Sequence, residues 1–206
     1  MVNKKYRTST LITKDGSFSD VFPLNRKYLN GLSKCVWPGR CQILRKNNII
    51  YFLDGAHTYE SLVNCSKWFA TESEKLLTSN RLVRVLIFNC TGDRPTERLI
   101  KALNVKFDIA IFCPNKVSDC KDMTSDNSNF TVTSHKERDV CENNAKVWAK
   151  VNEKSVIAKL SSISEAIKYI NDKTQREKSL PVHVLVTGSV HLVGGVLSLV
   201  DPEMKN

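Results

Sequence analysis

Hydrophobic positions follow two rhythms that alternate along the chain. Asn48–Asp54 (NIIYFLD) is a short, unbroken apolar run closed by Asp-Gly, the pattern of a strand buried on both faces. From Thr58 the spacing changes: Tyr59, Leu62, Val63, Phe69, Ala70, Leu76 and Leu77 recur on one broad helical face. Arg84–Asn89 (RVLIFN) is a second strand-like run, and Pro95 opens a helix carrying Leu99, Ile100, Ala102 and Leu103. Phe107–Cys113 (FDIAIFC) is a third. Pro114–Thr133 is polar without an apolar period, which predicts a long loop or an inserted segment. Helical spacing returns at Val140–Val151 and at Ser162–Asn171. In the latter, Ser162 and Glu165 form a capping-box pair ahead of Ile163, Ala166, Ile167 and Ile170. Val182–Thr187 (VHVLVT) is the last strand, followed by Gly-Ser and an apolar helix to about Val200.

Strands alternating with helices predict an α/β fold: a Rossmann-like, mostly parallel sheet with helices on both faces. Such sheets bind ligands beyond the carboxyl ends of their strands, so chemistry belongs at the strand-to-helix turns. The most apolar stretch, Val182–Val200, contains His183, Thr187, Ser189, His191 and three glycines, which argues against a membrane span. No apolar segment of the secretory type follows the charges near Met1.

Composition changes this picture little. Hydrophobic residues make up 41% and charged residues 25%, enough apolar material for a buried core. The net charge of +10 is concentrated early: Lys4, Lys5, Arg7, Lys14, Arg26, Lys27, Lys34, Arg40, Arg45 and Lys46 face only Asp15 and Asp20. Such a surface either favours an anionic partner or is a solvated lysine-rich face. Aromatic residues do not interleave with these charges, and no nucleic-acid-reading motif appears, so nucleic acid is not expected as a partner. The seven cysteines form no C-x-x-C pair, which excludes the usual zinc and thioredoxin spacings and fits reduced thiols.

Three turns carry candidate chemistry. Asp54-Gly55-Ala56-His57-Thr58 lies directly between a strand and a helix. An aspartate there can accept from ribose hydroxyls or an amine, and the helix start offers N–H groups to an anion. Equally, Asp54 can simply turn the chain while His57 starts the helix. Thr187-Gly188-Ser189 again joins strand to helix and points a hydroxyl into the same crevice. It lacks the second glycine of a nucleophile elbow, so Ser189 is not expected to be a hydrolytic nucleophile, and Gly194-Gly195 reads as a close-packing site. Trp37-Pro38-Gly39-Arg40 presents Arg40 on a short turn, where a guanidinium can bind phosphate through two parallel hydrogen bonds or merely sit on the surface.

Taken in order, Gly31-Leu32, W-P-G-R-x-Q (37–42), D-G-A-H-T (54–58), F-N-x-T-G-D-R (88–94) and T-G-S-x-H-L-V-G-G (187–195) resemble eukaryotic folylpolyglutamate synthase. The resemblance runs from about Tyr28 to Pro202 and implies a domain related to the C-terminal domain of Mur ligases. It implies residues 36–206 as that domain, and residues 1–35 as a segment linking it to an ATP-binding domain. The implied reaction adds glutamate to the γ-carboxylate of folate. ATP with Mg2+ phosphorylates the carboxylate, and the glutamate amine attacks the acyl phosphate. By the same resemblance Arg40 and Asp54 would bind ATP, and His57 and Ser189 would bind or orient glutamate.

One departure matters. The sequence contains no G-x-x-x-x-G-K-[ST], so the phosphate loop and the metal ligands are expected in a separate N-terminal domain. The isolated chain is therefore expected to be inactive, monomeric, and located in the cytoplasm, the mitochondrion or both. The alternative is a non-catalytic relative that binds nucleotide or folate.

Overall fold

The structure is a computed structural model and describes residues 11–12, 18–19, 26–77, 81–90, 94–118, 134–176 and 180–203. Residues 1–37 form one compact unit and residues 38–206 another. In the first, β1 (Leu11–Ile12) pairs antiparallel with β2 (Phe18–Ser19), and α1 spans Arg26–Ser33.

The second unit holds a six-stranded sheet: β3 (Gln42–Lys46), β4 (Ile49–Leu53), β5 (Val83–Phe88), β6 (Ile109–Phe112), β7 (Val156–Lys159) and β8 (Val182–Thr187). Its spatial order is β3-β4-β8-β5-β6-β7. All neighbours are parallel except β3 and β4, an antiparallel pair in which Gln42 faces Leu53 and Lys46 faces Ile49. The helices are α2 (Tyr59–Lys75), α3 (Thr96–Ala102), α4 (Ser134–Val151), α5 (Ile163–Arg176) and α6 (Val190–Val200).

The apolar runs form central strands because both sheet faces are covered. Along β8, Val182, Val184 and Val186 join one core with Ile163, Ala166 and Ile170 of α5 and Leu192, Val193 and Val196 of α6. Leu185 belongs to the other core, with Leu62, Cys65 and Phe69 of α2, Leu99 and Ile100 of α3 and Trp148 of α4. Alternate side chains of β4, β5 and β6 divide in the same way, as a two-residue strand period requires. An aromatic chain cements the second layer: Phe52 meets Phe69 edge-on at 4.9 Å, Phe69 stacks on Phe107 at 5.5 Å, and Phe107 meets Trp148 at 5.9 Å.

This layering sets the position of the site. From β4 the chain runs through β5, β6 and β7, with α2, α3 and α4 on one face. It then returns through α5 on the opposite face to place β8 between β4 and β5. Reversing direction while changing face keeps every crossover of one hand. Consequently α2 and α6 leave adjacent strands towards opposite faces, and a crevice opens between their starts at the switch in strand order.

Two strands differ from the sequence reading. β3 places only Leu44 in the core, and Arg45 and Lys46 are exposed on this edge, so no apolar run marks it. β7 is the other edge, with Val156 exposed and no strand residue fully buried. The α2 face is also narrower than predicted: Tyr59 and Leu77 are exposed, and Tyr59 lies under the Arg98 guanidinium at 4.6 Å. Helix α4 begins at Ser134, earlier than Val140, and most of the predicted loop at 114–133 lies outside the described residues. Ser162 accepts from the Glu165 N–H at 3.3 Å as expected, but the Glu165 carboxylate accepts from Ser161 N–H at 2.9 Å, one residue before the cap.

Candidate functional site

Parallel pairing of β4 with β8 brings their following turns side by side, and hydrogen bonds join them. Asp54 N–H donates to the Val186 carbonyl at 3.1 Å, and Gly188 N–H donates to the Ala56 carbonyl at 2.9 Å. Thr187 Oγ1 also reaches the Ala56 carbonyl, at 3.5 Å. Gly188 has φ 97°, and a Cβ there would stand 2.5 Å from the Asn89 carbonyl. Only glycine suits this turn.

Gly55 is the hub of the site. A Cβ on it would lie 2.9 Å from the Arg40 guanidinium and 2.9 Å from the Val190 side chain, the first residue of α6. The missing side chain therefore lets the Arg40 turn, the β4–α2 turn and the β8–α6 turn converge. The Gly55 carbonyl lies 2.9 Å from His57 Nδ1. A carbonyl only accepts, so Nδ1 carries the proton and Nε2 of the neutral ring is an acceptor. Ser189 caps α6, its hydroxyl accepting from Leu192 N–H at 3.4 Å.

Asp54 is buried, 8% exposed, and both its oxygens are engaged by the chain itself. Oδ1 accepts from Ala56 N–H at 2.8 Å, and Oδ2 accepts from the Cys41 N–H at 2.9 Å and the Cys41 thiol at 3.3 Å. The carboxylate thus braces two turns against each other.

The structure gathers Arg40, Asp54, His57 and Ser189 at one end of the sheet, with Arg40 and His57 in contact with Gly55 and Ser189 one residue from its Val190 neighbour. The chain itself takes up part of the donor set around the α2 start. Ser61 Oγ accepts from the N–H groups of His57 and Thr58, and Thr58 Oγ1 accepts from Ser61 N–H, a reciprocal capping box. Gly195 is a close-packing site, since a Cβ there would meet Ile163 at 2.4 Å. His191 is exposed on α6.

Three contributors escaped residue-by-residue reading. Cys41 filled an unassigned motif position. Arg94 donates to the His57 carbonyl at 3.4 Å from the far side of the α2 start. Asn89, Asn115 and Asn144 form a buried amide chain behind Gly188, linked at 3.1 and 3.4 Å. Asn89 stands in the F-N-x-T-G-D-R motif, but nothing in a single sequence distinguishes Asn115 and Asn144 from loop residues. Thr91, Gly92 and Asp93 of the F-N-x-T-G-D-R segment lie outside the described residues. Among the described residues, no group of three or more His, Cys, Asp or Glu side chains gathers as a metal site, and no helix is long and apolar enough to cross a membrane. The six described cysteines are unpaired, and burial pushes the Cys65 and Cys141 thiols up to about 12.

Fold and site together define an α/β domain with a mostly parallel sheet and a crevice at its switch point. The model of one family, dihydrofolate synthetase C-terminal domain, matches residues 40–199, and the chain belongs to that family. Mitochondrial folylpolyglutamate synthase of Bos taurus is 31% identical over 90% of the chain, which spans 42% of that protein. Among solved structures, Mycobacterium tuberculosis folylpolyglutamate synthase complexed with ADP and AMPPCP superposes with TM-score 0.60 at 17% identity, covering 87% of this chain and 36% of that one. The Yersinia pestis bifunctional folylpolyglutamate synthase/dihydrofolate synthase, complexed with AMPPNP and a manganese ion, gives 0.56 at 17% identity over 86% and 35%. These two share the fold.

Proposed function

We propose that this domain forms the closing wall of an ATP-dependent ligase that adds glutamate to the γ-carboxylate of a folate. The convergence of Arg40, His57 and Ser189 around Gly55 at the switch point carries the reading. The nucleotides in the mycobacterial and Yersinia complexes support it.

Each residue has a chemical task that its surroundings suit. Arg40, exposed on its turn, meets phosphate oxygens through its planar fork. Asp54 serves the nucleotide chiefly by bracing the Arg40 turn, with only its small exposed edge left to touch it. His57 Nε2, an acceptor, suits the ammonium of glutamate, and the Ser189 hydroxyl suits its carboxylate. ATP supplies the phosphoryl group that activates the γ-carboxylate. The domain's part is to orient the reactants and to exclude water from the activated acid. Mg2+ accompanies the nucleotide, and among the described residues no cluster of His, Cys, Asp or Glu side chains offers it a site, so its ligands belong to a separate phosphate-binding domain. The domain acts as a monomer without nucleic acid, in the cytoplasm or the mitochondrion. The compartment in the bovine relative's name supports the second.

Steady-state kinetics on a ligase carrying this domain tests the assignment. Arg40→Ala is expected to raise KM for ATP about tenfold or more, while His57→Ala and Ser189→Ala act mainly on glutamate. Unchanged kinetics in all three variants would overturn the proposal.

A further inference from the structure

Arg40 stands between two residues in the left-handed backbone region, Gly39 at φ 72° and Cys41 at φ 44°. For cysteine this conformation is unfavourable and persists only where the surroundings hold it. Here they do. Cys41 gives both its N–H and its thiol to Asp54 Oδ2, at 2.9 and 3.3 Å. Gly55 N–H donates to the Gly39 carbonyl at 3.0 Å, and Gly39 N–H donates to Gln42 Oε1 at 2.9 Å. Asp54 cannot swing away, because its other oxygen is tied to Ala56 N–H. Although the residue is exposed, partial desolvation of its thiol, then the hydrogen bond and charge of Asp54, raise it to about 11, with the Arg40 charge opposing them. At neutral pH the sulfur therefore keeps its proton and acts as a donor.

We propose that Cys41 is a positioning residue: its thiol, bonded to Asp54, locks the turn that holds the Arg40 guanidinium against Gly55. The functional consequence rests on the reading of Arg40 as a phosphate contact. The motif W-P-G-R-x-Q leaves this position open, so the resemblance assigned Cys41 no role. Serine retains a hydroxyl donor of similar reach, and alanine does not.

Amide hydrogen exchange on the 206-residue chain tests the lock at its own two donors, Cys41 N–H and Gly55 N–H. In Cys41→Ala both are expected to exchange about tenfold faster while amides within β4 and β8 are unchanged. Cys41→Ser is expected to restore slow exchange. Wild-type rates in Cys41→Ala, or Cys41→Ser behaving like alanine, would overturn the proposal. MgATP titration of Arg40→Ala, Cys41→Ala and the double variant then separates the two claims. Non-additive losses of affinity show that Cys41 acts through Arg40, and fully additive losses contradict it. Unchanged affinity in Arg40→Ala removes the nucleotide reading of the site, while exchange still decides whether Cys41 holds the turn.

Discussion

His183 is the second residue of β8, fully buried, with Nδ1 2.8 Å from Ser73 Oγ and its ring 5.3 Å from that of Phe52. Nε2 has no hydrogen-bond partner. Burial first, then the charges of Arg84 and Arg45, lower its pKa from 6.5 to about 4. In the unfolded chain the ring takes up a proton near pH 6.5, so between these values the unfolded state binds more protons. Stability is therefore expected to fall as pH drops from about 6.5 to 4, by on the order of 3 kcal/mol, and to level off outside that window. Denaturant unfolding across this range should show the slope in the wild type and a flatter one in His183→Leu. Parallel profiles would place the acid sensitivity elsewhere. A single polar letter in the apolar run VHVLVT carries no sign of this residue's importance. The positions of Arg40, Asp54, His57 and Ser189 at turns beside strand or helix ends were readable in the chain, whereas their tasks came only from the family resemblance. Cys41 was not legible, because its role depends on a contact with Asp54, thirteen residues away.

Among the elements, those with long apolar periods were readable and the edges were not. β4, β6 and β8 are buried along their length and β5 from Val85 to Phe88, and their apolar runs report that burial. β3 and β7 owe their existence to pairing with a neighbour already in place, which leaves little trace in their own letters. Helix α2 begins with a capping box whose members, Thr58 and Ser61, accept three of the turn's N–H groups. Thr58→Ala is expected to cost about 1 kcal/mol, measured by chemical denaturation, with faster exchange at the first turn of α2. A loss indistinguishable from zero would mean that tertiary packing of Leu62 and Cys65 alone fixes the helix start.

At the scale of the whole molecule, one topological choice creates the crevice: β8 returns to the gap between β4 and β5. Alternating strands and helices predicted the α/β class, but strand order is set by pairing across the chain and was not in the pattern. The chain carries no phosphate-binding loop motif and spans about 40% of the curated relatives it matches. Glutamate addition by the pure chain is accordingly expected to be undetectable with MgATP and folate, and measurable turnover would contradict the division of labour proposed here. The most direct test of the account is where nucleotide touches the domain. Backbone amide shifts recorded while MgATP is titrated into the chain should move at Arg40, Gly55, His57 and Ser189. Little change is expected around the roughly 540 Å³ cavity at the opposite end of the sheet, lined by Val83, Ile109 and Lys173. Shifts concentrated at that cavity, with the Gly55 cluster silent, would contradict it.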